Sequence, residues 1–380
     1  MQILKKEVTE FELFYDLIFA YAISRITAIL YLGTDQMFSL KNIGEFLILT
    51  LVFWTIWTYQ TVFMNRFSIK NRINALFLFF DMFWVINLAQ SIDISFEKTH
   101  FTFAGATSLL FFSIALQYYL KMRSTEDEVI KKLCSQLIGV LCISGLLGFI
   151  TIIPLGSYTS RLILYVISIF ITAFFPIVMK KGLQGFPTNF EHLTERYSLF
   201  TLLLFGEAII AVASTIAYNY ISIGSLLFFL IIVVMFLFYN TVYKSAIDRE
   251  KETAGLVLIH SHYFVFVGLG MSVILYENFV ASEINSLFFV LALAVSLLLF
   301  LGGTLANMMT YSKNEYDYLP FISKNAIYFI GWVAAGLLLQ DFIVPFLLLN
   351  IGFLLFLLYK VKRELAAQSS STRKTKINGY

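Results

Sequence analysis

The residues able to do chemistry are few, and they lie inside apolar stretches. Glu12 and Asp16 are four positions apart, so on a helix their carboxylates share one face. At the start of a helix they can cap it and face water. Held together away from water, they would form a paired-carboxylate site for a cation or a proton. Arg25 lies nine residues beyond Asp16, roughly 180° round an ideal helix. It therefore needs a carboxylate from another segment, or it snorkels outward. Asp81 stands in a separate apolar run, and Glu207 follows Gly206 in another. Glu207 reads as a salt-bridge partner, Arg25 being one candidate, or as a substrate or proton site. A charge within hydrocarbon costs roughly 2.5–3.5 kcal/mol on insertion scales, so each needs a partner or a purpose. Glu12, Asp16, Arg25, Asp81 and Glu207 form the candidate substrate- or ion-binding set.

A second tier is weaker. His260 and His262 form His-Ser-His; residues two apart point to different sides of a helix, whereas a metal pair uses i,i+4 spacing. They read as core histidines or, with Glu277, as a proton relay. Arg66, Glu195 and Arg196 flank apolar runs and read as a cytoplasmic gate or a structural ion pair. Trp54 and Trp57 fall in mid-run, where core packing explains them better than an interfacial belt. Cys134 and Cys142 are eight apart, about 12 Å along one helix, too far for a disulfide. The chain has no C-x-x-C, P-loop or Gly-rich phosphate fingerprint. No catalytic residue, metal or cofactor is assigned, and no nucleic-acid partner is expected.

The elements that must position these residues are membrane helices. Of 380 residues, 59% are hydrophobic and 13% charged, about half the usual charged share of roughly 25%; the mean hydropathy is +0.81. Apolar runs fall at 11–33, 43–64, 73–92, 101–120, 133–154, 160–179, 197–217, 221–243, 255–276, 285–311, 324–341 and 343–360, most of them long enough to cross about 30 Å of hydrocarbon. Strand alternation is absent, which leaves helices as the spanning solution. The last two runs are parted only by Gln340 and Asp341; Pro345 favours a break there, and a single bent helix would make eleven spans.

Loop charge tests the count. One alternate set of loops and termini holds Lys5 and Lys6, Arg66, Lys70 and Arg72, Lys121 to Lys132, Lys180, Lys181 and Arg196, Lys244 to Lys251, Lys313 and Lys324, and the tail from Lys360 to Lys376. The other holds Lys41, Lys98 and Arg161. This bias predicts an all-α polytopic protein of about twelve spans with both termini cytoplasmic. Residues 1–190 and 191–363 would be two six-helix halves, and 364–380 a disordered basic tail. A Leu-Phe match between runs one and seven, at an offset of 186, suggests parallel repeats; the abundance of Leu and Phe makes such a match cheap.

Four segments carry a family resemblance. Glu12-Leu13-Phe14-Tyr15-Asp16-Leu17-Ile18-Phe19 resembles the E-L-F-[FY]-D-L-V-F signature of the bacterial low temperature requirement protein A (LtrA) family. Trp54 and Trp57 before Asn65-Arg66-Phe67 resemble its Trp-rich second span ending in N-R-F. Glu195-Arg196-Tyr197-Ser198-Leu199-Phe200-Thr201 through Gly206-Glu207 resembles its E-R-[FY]-G-L-F-T…G-E segment. His262, Gly268 and Glu277 resemble its H…G…E pattern. The order holds over about 8–360. Ser198 stands where Gly is usual, and the acid usual after N-R-F is missing. The resemblance implies a multi-pass protein of the bacterial cytoplasmic membrane linked to growth at low temperature, and implies no reaction.

Buried ionisable groups in several spans favour a transporter or permease, ion- or proton-coupled, for a small ion, small molecule or lipid. The alternatives are a non-transporting sensor or assembly protein, and an intramembrane lipid-modifying enzyme, for which the four histidines form no recognised pattern. The expected surroundings are the lipid bilayer.

Overall fold

The computed structural model describes residues 6–33, 35–67, 72–92, 96–216, 222–313 and 318–377. Lys5 and Lys70 of the loop-charge pattern, and tail residues 378–380, lie outside them. The described residues form α1 (Glu10–Thr27), α2 (Leu40–Arg66), α3 (Arg72–Gln90), α4 (Phe96–Arg123), α5 (Glu128–Ile152), α6 (Tyr158–Val178), α7 (Lys180–Gln184), α8 (Phe190–Ser214), α9 (Ile223–Thr241), α10 (Leu256–Val280), α11 (Ser286–Tyr311), α12 (Leu319–Leu339) and α13 (Ile343–Ile377). Among them, eleven are long and apolar enough to cross a membrane: α2–α6 and α8–α13. The chain is an all-α polytopic membrane protein.

Helix α1 falls outside that set because Glu10, Glu12, Asp16 and Arg25 share its 18 residues. Its amphipathy is inverted. Phe11, Leu13, Phe14 and Leu17 are exposed while Glu12 and Asp16 are buried, the arrangement of a helix with lipid outside and a polar core inside. At 18 residues it spans about 27 Å, and we read it as the twelfth span. The helix also stops at Thr27, short of the apolar run's end, where Ile29 and Leu30 turn back through hydrogen bonds to the Ile26 and Thr27 carbonyls. The last two spans are separate helices, parted at Gln340–Phe342.

The chain divides into two compact units. One comprises residues 1–31, 40–203 and 250–259; the other comprises 32–39, 204–249 and 260–380. In the first, α2 is central: every residue from Leu51 to Thr61 is buried, and α1, α4 and α6 pack on it. A helix enclosed on all sides must give each polar residue a partner on a neighbour. That requirement builds the site. Pro176 shows the same logic in reverse. It cannot donate to the Thr172 carbonyl one turn back, and the Tyr59 hydroxyl of α2 donates there instead, at 2.8 Å.

In the second unit α9 packs along α13, and α10 meets α11 through glycine. A Cβ on Gly268 would lie 2.5 Å from the Phe300 nitrogen and the Ser296 oxygen, and one on Gly303 2.7 Å from the Ser261 oxygen. Only glycine permits that approach, which gives Gly268 of the H…G…E pattern a packing reason.

Candidate functional site

A buried polar cluster lies in the first unit, at the N-terminal ends of α1 and α8 and the C-terminal end of α2. Two helices each carry an i,i+4 pair of complementary groups: the carboxylates Glu12 and Asp16 on α1, and the donors His192 and Arg196 on α8. The two run parallel there, since Glu12 meets His192 and Arg196, Asp16 meets Arg196, and the Phe19 ring meets that of Phe200.

Each side chain is held by more than one contact. Thr9 caps α1 and forms a capping box with Glu12. Glu12 Oε2 accepts from the Thr9 nitrogen at 2.8 Å and hydroxyl at 2.9 Å. His192 Nε2 also hydrogen-bonds Oε2, at 3.4 Å, and Oε1 lies at ion-pair distance from Arg196 Nη1, 3.1 Å, and from His192 Nε2, 3.2 Å. Asp16 Oδ1 accepts from Arg196 Nη2 at 2.6 Å and from the Trp57 indole N–H at 2.7 Å. The Arg196 guanidinium lies 5.8 Å from the Trp57 ring. Arg196, His192 and Trp57 are 0% exposed, Glu12 1% and Asp16 3%, so these polar groups meet one another rather than water.

The hydrogen bonds assign the His192 tautomer. Asn65 Oδ1 accepts from the Asn189 nitrogen at 3.0 Å, so Asn65 Nδ2 is the donor to His192 Nδ1, also at 3.0 Å. The ring proton therefore sits on Nε2 and faces Glu12. Asn189 also accepts from the His192 backbone nitrogen at 3.1 Å, capping α8. Lys6 donates to the Met64 and Asn65 carbonyls at the end of α2, where the helix dipole favours a cation. Burial pushes its ammonium below the usual lysine range, with Glu12 opposing the shift.

A second polar centre lies in the same unit. Gln60 of α2 and Gln117 of α4 exchange amide hydrogen bonds of 2.9 and 3.1 Å, and Gln117 Nε2 also donates to Asp81 Oδ2 of α3 at 3.1 Å. Asp81 is fully buried. Among the described residues its Oδ1 has no hydrogen-bond partner, and no cation lies within ion-pair distance of it. Tyr15, also fully buried, is within electrostatic reach of both Asp81 and Asp16.

The remaining candidates lie elsewhere. Arg25, expected at depth with a carboxylate, sits in the last turn of α1 because the helix ends early. Its Nη2 donates to the Ile92 carbonyl at 2.9 Å. Glu195 is half-buried on α8, its neighbour Arg196 being the residue turned inward. Arg66 lines a cavity of α2. Glu207 is half-buried on the stretch of α8 that belongs to the second unit. There too, buried His262 hydrogen-bonds the Tyr239 hydroxyl at 3.0 Å, His260 is half-buried, and Glu277 accepts from the Ser214 hydroxyl.

Sequence reasoning passed over His192, Asn65, Gln60 and Gln117, and gave Trp57 no polar role. One signal was available for His192: with Arg196 it repeats the i,i+4 spacing of Glu12 and Asp16 with donors in place of carboxylates. The amides carry no such mark. Among the described residues no three His, Cys, Asp or Glu side chains could hold a metal ion; in the cluster the guanidinium lies against both carboxylates.

Helices that expose apolar residues outward and enclose paired charges define an integral, multi-pass membrane protein in contact with lipid. The chain belongs to the bacterial low temperature requirement A (LtrA) family, whose model matches residues 7–361. It is 22% identical over 353 residues to an uncharacterized protein of Rhizobium meliloti (strain 1021), with 83% of this chain and 84% of that protein covered.

Proposed function

We propose that the chain is a transporter of the bacterial cytoplasmic membrane, coupled to a proton or small cation. Both termini are cytoplasmic in this reading, as the loop charges favour. The observation that carries it is Asp81. Its carboxyl is fully buried in a membrane helix and held by one neutral amide donor. Such a group can load and release a proton without breaking an ion pair. Glu12 and Asp16 would each have to give up Arg196 to do so. They act instead as a lock, re-pairing when that end of the unit opens. Glu207 is proposed as a second ion-carrying acid, because it too sits within a span.

The test is proton flux into vesicles. Wild-type protein reconstituted in liposomes with a lumenal pH dye, under an inward-directed potential and a mixed pool of small solutes, should acidify the lumen faster than protein-free liposomes. Asp81→Asn should remove that excess and leave the protein folded. Wild-type flux in Asp81→Asn would sink the proposal.

A second reading, a sensor or assembly protein without transport, has one observation in its favour: Glu12 and Asp16 are both ion-paired to Arg196 and buried away from water, as a rigid scaffold requires. It predicts no excess flux in wild type and in Asp81→Asn alike.

A further inference from the structure

The second unit carries a groove between α12 and α13. The two helices run antiparallel: the Tyr328 ring lies 4.8 Å from that of Phe356, and the Trp332 ring 5.2 Å from that of Phe353. One face of each helix lines the groove, with Tyr328, Gly331 and Trp332 opposite Gly352, Phe353 and Phe356. These are the three- and four-residue spacings of neighbours on a helix surface. The groove holds about 380 Å³ of open space, at the lower end of small-ligand sites. Its floor is open because a Cβ on Gly331 or Gly352 would meet no atom within 4 Å. Helix α12 is also the least enclosed of the eleven spans, with 11% of its apolar stretch buried. The groove therefore faces hydrocarbon, and its walls are apolar and aromatic.

Positive charge stands at one end only. The same spacing carried one turn further ends in Lys324 on α12, four residues before Tyr328, and in Lys360 on α13, four after Phe356. Lys360 Nζ lies 5.4 Å from the centre of the Tyr328 ring and 5.2 Å from that of Phe356, so a cation closes the groove while resting on both walls. Among the described residues no carboxylate lies within ion-pair distance of either lysine. Lys362 and Arg363 follow, both exposed, with Glu364 beside them. The opposite end, where α12 gives way to α13, carries Asp341 and no cation. A bare hydrocarbon chain would fill the groove but leave the lysines without an anion. A second copy on a two-fold axis along the membrane normal would bring the lysines of both copies to the same end. An acyl chain that ends in a phosphate answers both the apolar walls and the charge.

We infer that this groove seats an anionic phospholipid, one acyl chain over Gly331 and Gly352 and the phosphate on Lys324 and Lys360. The inference goes beyond the transport reading and does not require it, because binding is read without any gradient.

The experiment is native mass spectrometry of the full-length protein in a neutral detergent, titrated with phosphatidylglycerol and, as control, with phosphatidylcholine of the same acyl chains. One phosphatidylglycerol should bind tenfold or more tightly than phosphatidylcholine. Lys324→Gln combined with Lys360→Gln should bring the two lipids within twofold of each other. Lys180→Gln combined with Lys181→Gln, at two exposed lysines of α7, should leave the difference intact. Gly331→Leu combined with Gly352→Leu fills the open floor and should weaken phosphatidylglycerol at least tenfold. The proposal is overturned if wild type binds both lipids alike, if the Lys324 and Lys360 variant keeps the preference, if the α7 variant loses it, or if the filled groove binds phosphatidylglycerol as wild type does. Excess inorganic phosphate should not displace the lipid; displacement would make free phosphate the occupant and overturn the lipid assignment. A wild-type dimer that the glycine variant dissolves would make a second copy the occupant, with the same consequence.

Discussion

The Arg196 cluster and the Asp81 centre lie in the same helical unit and are equally dry, yet they are built on opposite terms. In the first, two carboxylates share one guanidinium and accept also from an indole, a histidine and a cap, while Glu12 Oε1 and Asp16 Oδ2 have no hydrogen-bond partner among the described residues. In the second, one carboxylate accepts from the neutral amide of Gln117, which pairs in turn with Gln60, and no cation lies within ion-pair distance among the described residues. A buried ion pair resists change because removing either member strands the other charge. A carboxyl held by neutral donors can gain or lose a proton with its surroundings otherwise intact. The contrast teaches that burial alone does not mark a functional acid; what compensates the charge decides whether it is fixed or free to switch.

The largest effect that could break this comparison is at Arg196. Arg196→Leu should destabilise the protein by about 3–5 kcal/mol, since Glu12 and Asp16 lose their counter-charge. Unfolding in mixed micelles with increasing dodecyl sulfate would measure it. Combining Arg196→Met with Glu12→Gln and Asp16→Asn should recover most of that loss. If the triple variant is no better than Arg196→Leu, the cluster is held by shape and not by charge compensation.

Trp57→Phe comes next. It keeps ring packing against Tyr197 and Phe200 and removes one hydrogen bond to a charged carboxylate, worth about 1.5–3 kcal/mol. The same unfolding assay should place it between wild type and Arg196→Leu. The smallest effect on stability belongs to Asp81→Asn, under about 1 kcal/mol, because the amide still offers Gln117 an acceptor. A loss as large as that of Arg196→Leu would show Asp81 to be ion-paired and erase the distinction between the two centres.

Much of the fold was legible. Each helix long and apolar enough to span corresponds to an apolar run in the chain, because the length needed to cross a bilayer is a local property. The break at Gln340–Asp341 was also readable, from two polar residues and a nearby proline. Arg25 was misjudged for a local reason. The apolar run continues past Thr27, but the helix does not, so a residue that looks deep in the run lies in a last turn. Asp81 was readable as an acid within an apolar run, but its contact with Gln117 and Gln60 was not, since nothing about a glutamine in an apolar run names its partner on another helix.

By itself, the sequence determined that this chain lives in the membrane, where along the chain its apolar spans fall, and that Glu12 and Asp16 share a face. Those follow from hydropathy and the 3.6-residue period, which act between neighbours along the chain. Only the tertiary structure decided that their face meets His192 and Arg196, 180 residues on, that Asp81 meets amides instead of a cation, and that Arg66 opens into a cavity. Lipid rewards any apolar face alike and so does not choose which helices pair. That choice rests on matching buried polar groups one to another, a property of two surfaces together and of neither segment alone.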